Sequence, residues 1–477
     1  SVEITNHEFS LAAGQGLDSL VATARRMLDG NAFDVRADSY LQAMRLGGSL
    51  IQSGNLTSLF AASEHPKGGR NRRRATPLTP EIQAAQQQWQ LARNVDAMIR
   101  QHQDDQTTLA KLGELTQGLD GHVRATLVYE LAQAALRTGD LAAAKTYLSL
   151  FGGNFAHHPL AEAAVLQYFQ ISTSEEYDHA VRSQNAAQIQ LVAATSPDQD
   201  PQEVRLSHSL ELARSIQTVQ PSLLFDARFR FPLAALHRRS PLHQSEAEGF
   251  YRGELSSQVD FAWRSCAATE LAMRQPDAAM VKPMARCPAI SVKPFLDGQL
   301  TDDAWQAAVP LELKVRAGQP DMPASYAFFV HDEEFLYVAF TAMKVPGLQY
   351  EQDDTVRQRD TDLRERDRMV LRLDTDRDYA TCFCLTVDDR GWANDAVDEF
   401  AFWNPTWHIA STSTDRYWQI EAAIPLSELG ANPLSQNTVW NMGIQRIAPR
   451  TGIAAWHSSK QVESRPTSFG LLTFGTN

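Results

Sequence analysis

The sequence predicts a multidomain α plus β protein, with an all-α helical-repeat-like N-terminal part followed by an antiparallel β-sandwich. Three observations predict it. At 477 residues the chain exceeds what one hydrophobic core organises. Apolar residues recur at three- and four-residue spacing up to about Arg274, and in short alternating runs beyond it. Between the two regimes lies "RQPDAAMVKPMARCPAISVKP", residues 274–294, rich in proline and without periodicity. The expected organisation is a helical domain over 1–274, a linker over 275–288 and a sandwich over 289–477.

Helices are expected where "LDSLVATARRML", "SYLQAMRLGGSLI", "EIQAAQQQWQLARNVDAMI", "HVRATLVYELAQAALR" and "SQVDFAWRSCAATELAM" carry an apolar stripe. Pro201 opens "PQEVRLSHSLELARSI", a first-turn position where its missing N–H costs nothing. The stretch 63–80, "SEHPKGGRNRRRATPLTP", interrupts the pattern with a basic cluster, Lys67, Arg70, Arg72, Arg73 and Arg74. It reads as a solvated loop, with a grip on an acidic partner as the alternative. In "YELAQAALRTGDLAAAKTYL", Gly139 and Asp140 break one helix and Ala144 leaves room for a second to pack closely. A fainter echo, "AAVLQYFQISTSEEYDHAV", puts Ala180 in the same place. This pattern resembles the tetratricopeptide repeat, which implies stacked hairpins that offer a groove to a protein partner; a generic helical bundle is the alternative.

Composition narrows the partners. Hydrophobic residues make up 43% and charged residues 21%, as in globular proteins. No run of about eighteen apolar residues occurs, so no transmembrane helix is expected. The chain starts at Ser1 without an apolar leader, and the expected location is outside the cell or in its envelope, periplasmic or extracellular, with any signal peptide removed. The net charge is -13, and from Ser291 onward 27 Asp and Glu face 17 Lys and Arg. Such a domain repels phosphate backbones, so nucleic acid is not an expected partner. Of the four cysteines, Cys382 and Cys384 share one strand face without a standard zinc spacing, while Cys266 and Cys287 either bridge in an oxidising compartment or stay as buried thiols. No G-x-S-x-G, H-E-x-x-H, Walker loop or G-x-G-x-x-G is present, and no enzyme is expected.

Beyond residue 289 a succession of pieces stands in order: "PFLDGQLTDDAWQAA", "VHDEEFLYVAF", "RDRMVLRLDTDRD", "DRG", "YWQIEAAIPLSELG", "WNMGIQR" and "SFGLLTF". The succession resembles the family 9-like carbohydrate-binding modules, which are related in fold to DOMON domains, and it covers about two fifths of the chain. Most of these positions read as scaffold. Asp297 and Gly298 form a turn needing positive φ, and Trp305 covers one end of the sandwich. Ile420, Ala422 and Ile424 alternate inward, Pro425 ends their strand, and Arg446 is expected to pair with an acid such as Glu421.

The resemblance implies a sugar held between two tryptophans, because a pyranose lays its apolar C–H face on an indole and leaves its hydroxyls for polar side chains. Trp456 matches the later tryptophan. The earlier position falls in "RDTDLRERDRMVLRLDT", which has no tryptophan, and Trp403 or Tyr350 are the candidate substitutes. Trp407 and Trp418 read as core. The resemblance also implies structural calcium, for which Asp374, Asp376 and Asp378 of "DTDRD" are the candidate oxygen ligands, with a solvated turn as the alternative. DOMON relatives hold haem through Met with Lys or His, and Met369, Met442, His331, His408 and His457 are the residues that such a reading would use. The expected function is a non-catalytic carbohydrate- or surface-binding protein with no resident cofactor apart from calcium, and with a helical protein-interaction domain. The alternatives are a structural subunit whose sandwich has lost its ligand and a haem-binding electron-transfer protein.

Overall fold

The computed structural model describes residues 91–475 apart from 93, 103–104, 120, 185–200, 257–259, 276–278, 316–321, 351–358, 431–433, 435–436 and 458–463. The basic loop at 63–80 and the helical segments expected before it lie outside the described residues. The chain divides into two compact units, Ser1–Tyr168 with Thr218–Pro221, and Phe169–Gln217 with Ser222–Asn477. Helices precede strands, as expected of an α plus β multidomain protein. No helix among the described residues is long and apolar enough to cross a membrane.

In the first unit, helices α1 (Gln106–Leu115), α2 (Gly121–Arg137) and α3 (Leu141–Ser149) precede α4 (Ala161–Thr173), within which the division between units falls. Asp105 caps α1 by accepting from the Thr108 N–H at 3.1 Å, and Asp140 caps α3 by accepting from Ala143 at 2.9 Å. Gly139 stands between α2 and α3 at φ 75°, a conformation that needs no Cβ, and its N–H bonds back to Leu136. The turn lets Ala144 bury completely, while Ile99, Leu109, Leu112, Leu127, Leu131 and Ala134 supply the apolar core.

The second unit joins helices α5 (Glu175–Gln184), α6 (Pro201–Val219, whose last residues belong to the first unit), α7 (Ala227–Arg239), α8 (Gln244–Ser256) and α9 (Phe261–Ala272) to a two-sheet β-sandwich. The change from helix to strand falls in the stretch expected as a linker, 275–288. That stretch holds strand β1 (Met284–Pro288), which pairs in parallel with the last strand, β13 (Gly470–Gly475). The division between compact units lies about a hundred residues earlier, so α5 to α9 pack with the sandwich.

One sheet runs β1, β13, β11 (Val439–Ala448), β6 (Arg368–Asp374), β7 (Phe383–Asp388) and β8 (Ala393–Val397), with β12 (Gly452–Ala455) joining β11 to the short β3 (Lys314–Val315). The other runs β2 (Leu311–Glu312), β4 (Ser325–His331), β5 (Phe335–Met343), β10 (Tyr417–Pro425) and β9 (His408–Ser413). Alternation sets what lies between the sheets: Leu371, Leu373, Phe383, Leu385, Met442 and Ile444 from one, and Phe340, Trp418, Ile420 and Ala422 from the other, are all buried. Gly298 adopts φ 82°, and a Cβ there would stand 2.6 Å from the Ser411 backbone, so the expected turn at Asp297 and Gly298 requires glycine twice over.

One pairing differs from expectation, and one open alternative, bridge or buried thiols, falls to the thiols. Arg446 pairs with Asp367, not Glu421: its Nη2 and Nε donate to the Asp367 carboxylate at 2.6 and 3.0 Å. Glu421 alternates out of the inter-sheet space and instead accepts from Trp305 Nε1 at 2.7 Å and from the Gly298 and Asp297 N–H groups at 2.7 and 3.0 Å. Cys266 and Cys287 are both free. The Cys266 thiol donates to the Thr467 carbonyl at 3.4 Å, Cys287 is buried on β1, and burial raises both thiols, Cys266 to about 11.

Candidate functional site

The three aromatic residues expected to meet a sugar have different fates. Trp403 is fully buried against Phe383, with ring centroids 4.4 Å apart, and offers no face to a ligand. Tyr350 donates its hydroxyl to Asp367 at 2.8 Å, accepts from the Val345 N–H at 2.8 Å, and has the Lys344 ammonium over its ring. Trp456 is half-buried: it follows β12, its N–H bonds the Ile444 carbonyl, and the edge of its ring lies on Gly470. Trp407 and Trp418 are core, each with Nε1 donating to a buried carboxylate, Asp395 and Asp367 respectively.

The larger sheet carries polar side chains on the face turned away from the core. Register aligns Gln445, Val370, Thr386 and Asn394 across β11, β6, β7 and β8, and Gly443, Arg372, Cys384 and Ala396 on the next rung of the same face. Arg372 Nη1 donates to Gln445 Oε1 at 3.0 Å. Gln445 is buried, whereas Arg372, Thr386 and Asn394 are half-buried. Of the residues a haem reading would use, Met369 and Met442 are buried core. His457 is engaged at both nitrogens, Nδ1 accepting from the Ile444 N–H at 3.1 Å and Nε2 donating to Ser464. His331 lies next to Phe474, and His408 is exposed on β9.

The densest ionisable cluster is in the β6–β7 loop. Asp374 ends β6, and Asp376 and Asp378 follow at alternate positions; all three side chains turn inward and are buried. Asp374 accepts from the N–H groups of Asp378 and Tyr379 at 3.1 Å, and Asp378 accepts from Ala380 at 2.6 Å and Thr381 at 2.9 Å. This folding of the loop around its own carboxylates holds Arg377 and Tyr379 at positive φ, 50° and 61°. Tyr379 extends into the helices, where its ring meets Phe231 and its hydroxyl donates to Glu270 at 2.8 Å.

Helix α5 brings a fourth carboxylate. Ser174 caps it by accepting from the Tyr177 N–H at 3.2 Å, which sets Glu176 in the first turn, fully buried against the loop. Glu176 Oε1 accepts from Thr375 N and Oγ1 at 2.7 and 2.8 Å, and Oε2 accepts from Ser174 and Thr381 hydroxyls at 3.0 and 3.1 Å. One oxygen each of Glu176, Asp374 and Asp376 lies within 4.8 Å of the others. Burial first, and the neighbouring like charges second, push Glu176, Asp374 and Asp378 well above the usual carboxylate range. Among the described residues the ion-pair contact to these four acids comes from Arg239, 3.2 Å from Asp376. Nearby Arg238 and Arg377 are taken by Glu270, whose carboxyl falls to about 2 despite its burial.

The donor set suits the calcium that the sequence resemblance implies: all oxygen, anionic and packed closely enough for one hard cation. Asn441, opposite Asp374 on β11, adds to the fit. Its Nδ2 donates to Asp374 Oδ2 at 2.7 Å, and its fully buried Oδ1 has no hydrogen-bond partner. Glu176, Asp374 and Asp376 would hold the ion, which would supply positive charge and no reaction chemistry. Sequence reasoning named Asp374, Asp376 and Asp378 and missed Glu176. Its local signal, the acidic first turn of "TSEEYD", says where a helix starts and nothing about a partner some two hundred residues away.

No protein-family model and no characterised protein sequence matches the chain. Among solved structures, a family 9 carbohydrate-binding module from Caldicellulosiruptor kristjanssonii in complex with cellotriose is similar over 41% of this chain and 95% of its own, at 14% identity and a TM-score of 0.32. A family 9 module from the same organism in complex with glucose is similar over 40% and 96%, at 15% identity and a TM-score of 0.31. The likeness falls on the C-terminal part of the chain and concerns its fold.

Proposed function

We propose that the chain is a non-catalytic recognition protein of the cell envelope or exterior, whose sandwich takes a glycan or a glycan-bearing surface and whose helical part contacts a protein. The observation that supports this reading is the half-buried polar side chains of Arg372, Thr386 and Asn394, on two neighbouring rungs of the outer face of the larger sheet, together with half-buried Trp456, which follows the strand that pairs with β11. Hydroxyl-binding side chains and a partly exposed indole are the residue types that pyranose recognition uses. The two solved modules, which hold cellotriose and glucose, have the same kind of ligand. Isothermal titration against a panel of mono- and oligosaccharides tests it. At least one should bind, and Trp456→Ala should weaken that binding at least tenfold, about 1.4 kcal/mol. Silence across the panel from folded protein sinks the reading.

A second reading, a structural subunit whose sandwich has lost its ligand, draws on the burial of Trp403 and the engagement of Tyr350. It is the one to adopt if light scattering finds a stable complex with a protein partner and calorimetry finds no glycan affinity.

A further inference from the structure

We propose that Glu176, Asp374 and Asp376 form a site for a hard divalent cation of the calcium class, and that the cation fastens helix α5 to the β6–β7 loop of the sandwich. The loop alone supplies two of the three ligands. Glu176 comes from a helix that precedes the β6–β7 loop by some two hundred residues, so an ion bound here bridges two separate stretches of chain.

Charge balance supports the assignment. Among the described residues, four buried carboxylates, Glu176, Asp374, Asp376 and Asp378, meet an ion-pair contact from one guanidinium, that of Arg239, which Glu175 shares. Hydrogen bonds from the loop N–H groups orient these carboxylates without neutralising them, and unneutralised charge of one sign is costly away from water. Asp374 Oδ1 and Asp376 Oδ1 each accept one N–H, from Asp378, and keep a lone pair for a cation, whereas both Glu176 oxygens already accept two donors and would exchange one of them for the ion. The independent pointer is Asn441. It is fully buried, its amide stands against Asp374, and its carbonyl oxygen lacks any donor in a position where an unmet buried acceptor is costly. A neutral carbonyl beside three carboxylates is a ligand type that calcium accepts. The remaining contacts between α5 and the loop run through the same groups: Glu175 N–H to Asp376 at 3.2 Å, and Thr381 Oγ1 to Ser174 Oγ at 2.8 Å. Repulsion within the cluster therefore acts directly on the seam that the ion would close.

The test uses the full chain freed of metal by chelator, with terbium as the probe and tyrosine or tryptophan emission transfer as the readout. Terbium should saturate at about one equivalent and be displaced by calcium. Glu176→Gln should weaken it at least tenfold, by analogy with losing a supporting group at a metal site. Glu248→Gln, on α8, where Glu248 is half-buried and paired with Arg252, should leave it within about twofold. Hydrogen exchange of wild type supplies a readout that needs no variant: amides of 175–184 and 375–381 should exchange at least tenfold faster in EGTA than in calcium. Absent or non-saturating terbium binding, affinity unmoved by Glu176→Gln, or equal exchange in the two buffers overturns the proposal. These results do not depend on whether the sandwich binds a glycan.

Discussion

Strand β6 starts beside Asp367 and closes on Asp374, and both carboxylates are buried, yet their surroundings differ in charge. Asp367 receives a two-point bond from buried Arg446 and neutral donors from Trp418 Nε1 at 3.0 Å and Tyr350 at 2.8 Å. Arg446 is held further by bonds to the carbonyls of Pro323 at 3.0 Å and Met343 at 2.7 Å. At the other end, Asp374 sits among three further acids, and among the described residues the ion-pair contact to this group is that of Arg239 with Asp376. The first end is a closed pair of equal and opposite charges, so it serves as scaffold. The second gathers four buried acids without a matching set of cations among the described residues, which is why it is the end proposed to take an ion. A buried carboxylate thus carries no functional meaning by itself; the local charge sum does.

The largest effect should come from unbalancing the balanced end. Arg446→Met leaves Asp367 buried with neutral donors only, and it should cost about 3–5 kcal/mol in urea unfolding. Adding Asp367→Asn should return part of that loss, because the variant pair no longer buries a lone charge. A double-variant cost equal to the sum of the singles would show that the two side chains do not act as a pair.

A third way of burying an ionisable group, keeping it neutral, is used at His457. Its Nδ1 accepts from a backbone N–H, and burial lowers its pKa to about 3. The folded pKa lies below the unfolded value, so stability is complete above about pH 6.5 and is lost as pH falls from there toward 3. Between pH 7.5 and 4.5 this group should contribute roughly 2–3 kcal/mol of acid destabilisation. His457→Gln should be less stable at pH 7.5 and show a shallower acid slope; an unchanged slope contradicts the assignment.

These contrasts also mark what is readable from sequence. Positions whose role is set by near neighbours were legible: the Asp297 and Gly298 turn, the inward Ile420, Ala422 and Ile424, the Gly139 break, and Trp407 and Trp418 as core. Period-two alternation and turn chemistry are local, so a few residues suffice to declare them. Pairings across sheets were not legible. Arg446 was expected beside Glu421, and only the alternation of β10 out of the inter-sheet space, together with the place of Asp367 before β6, gives it a different partner. Trp403, in a stretch that reads as a loop, looked available to a ligand until β7 brought Phe383 against it. At the candidate metal centre, the alternating aspartates were visible in "DTDRD", but Glu176 was not, because nothing short-range ties it to them.

The difference between the two ends of β6 is tested most directly by thermal unfolding of wild type and Glu176→Gln at pH 7.5, in EGTA and in rising calcium. Binding to the folded state alone raises the midpoint with ligand concentration. The wild-type midpoint should climb steadily with calcium, while that of Glu176→Gln stays flat. In EGTA the variant should be no less stable than wild type, and more stable by about 1 kcal/mol if it relieves repulsion between buried acids. A wild-type midpoint that ignores calcium, together with a variant destabilised in EGTA, would show that the Asp374 end is balanced within the protein and needs no ion.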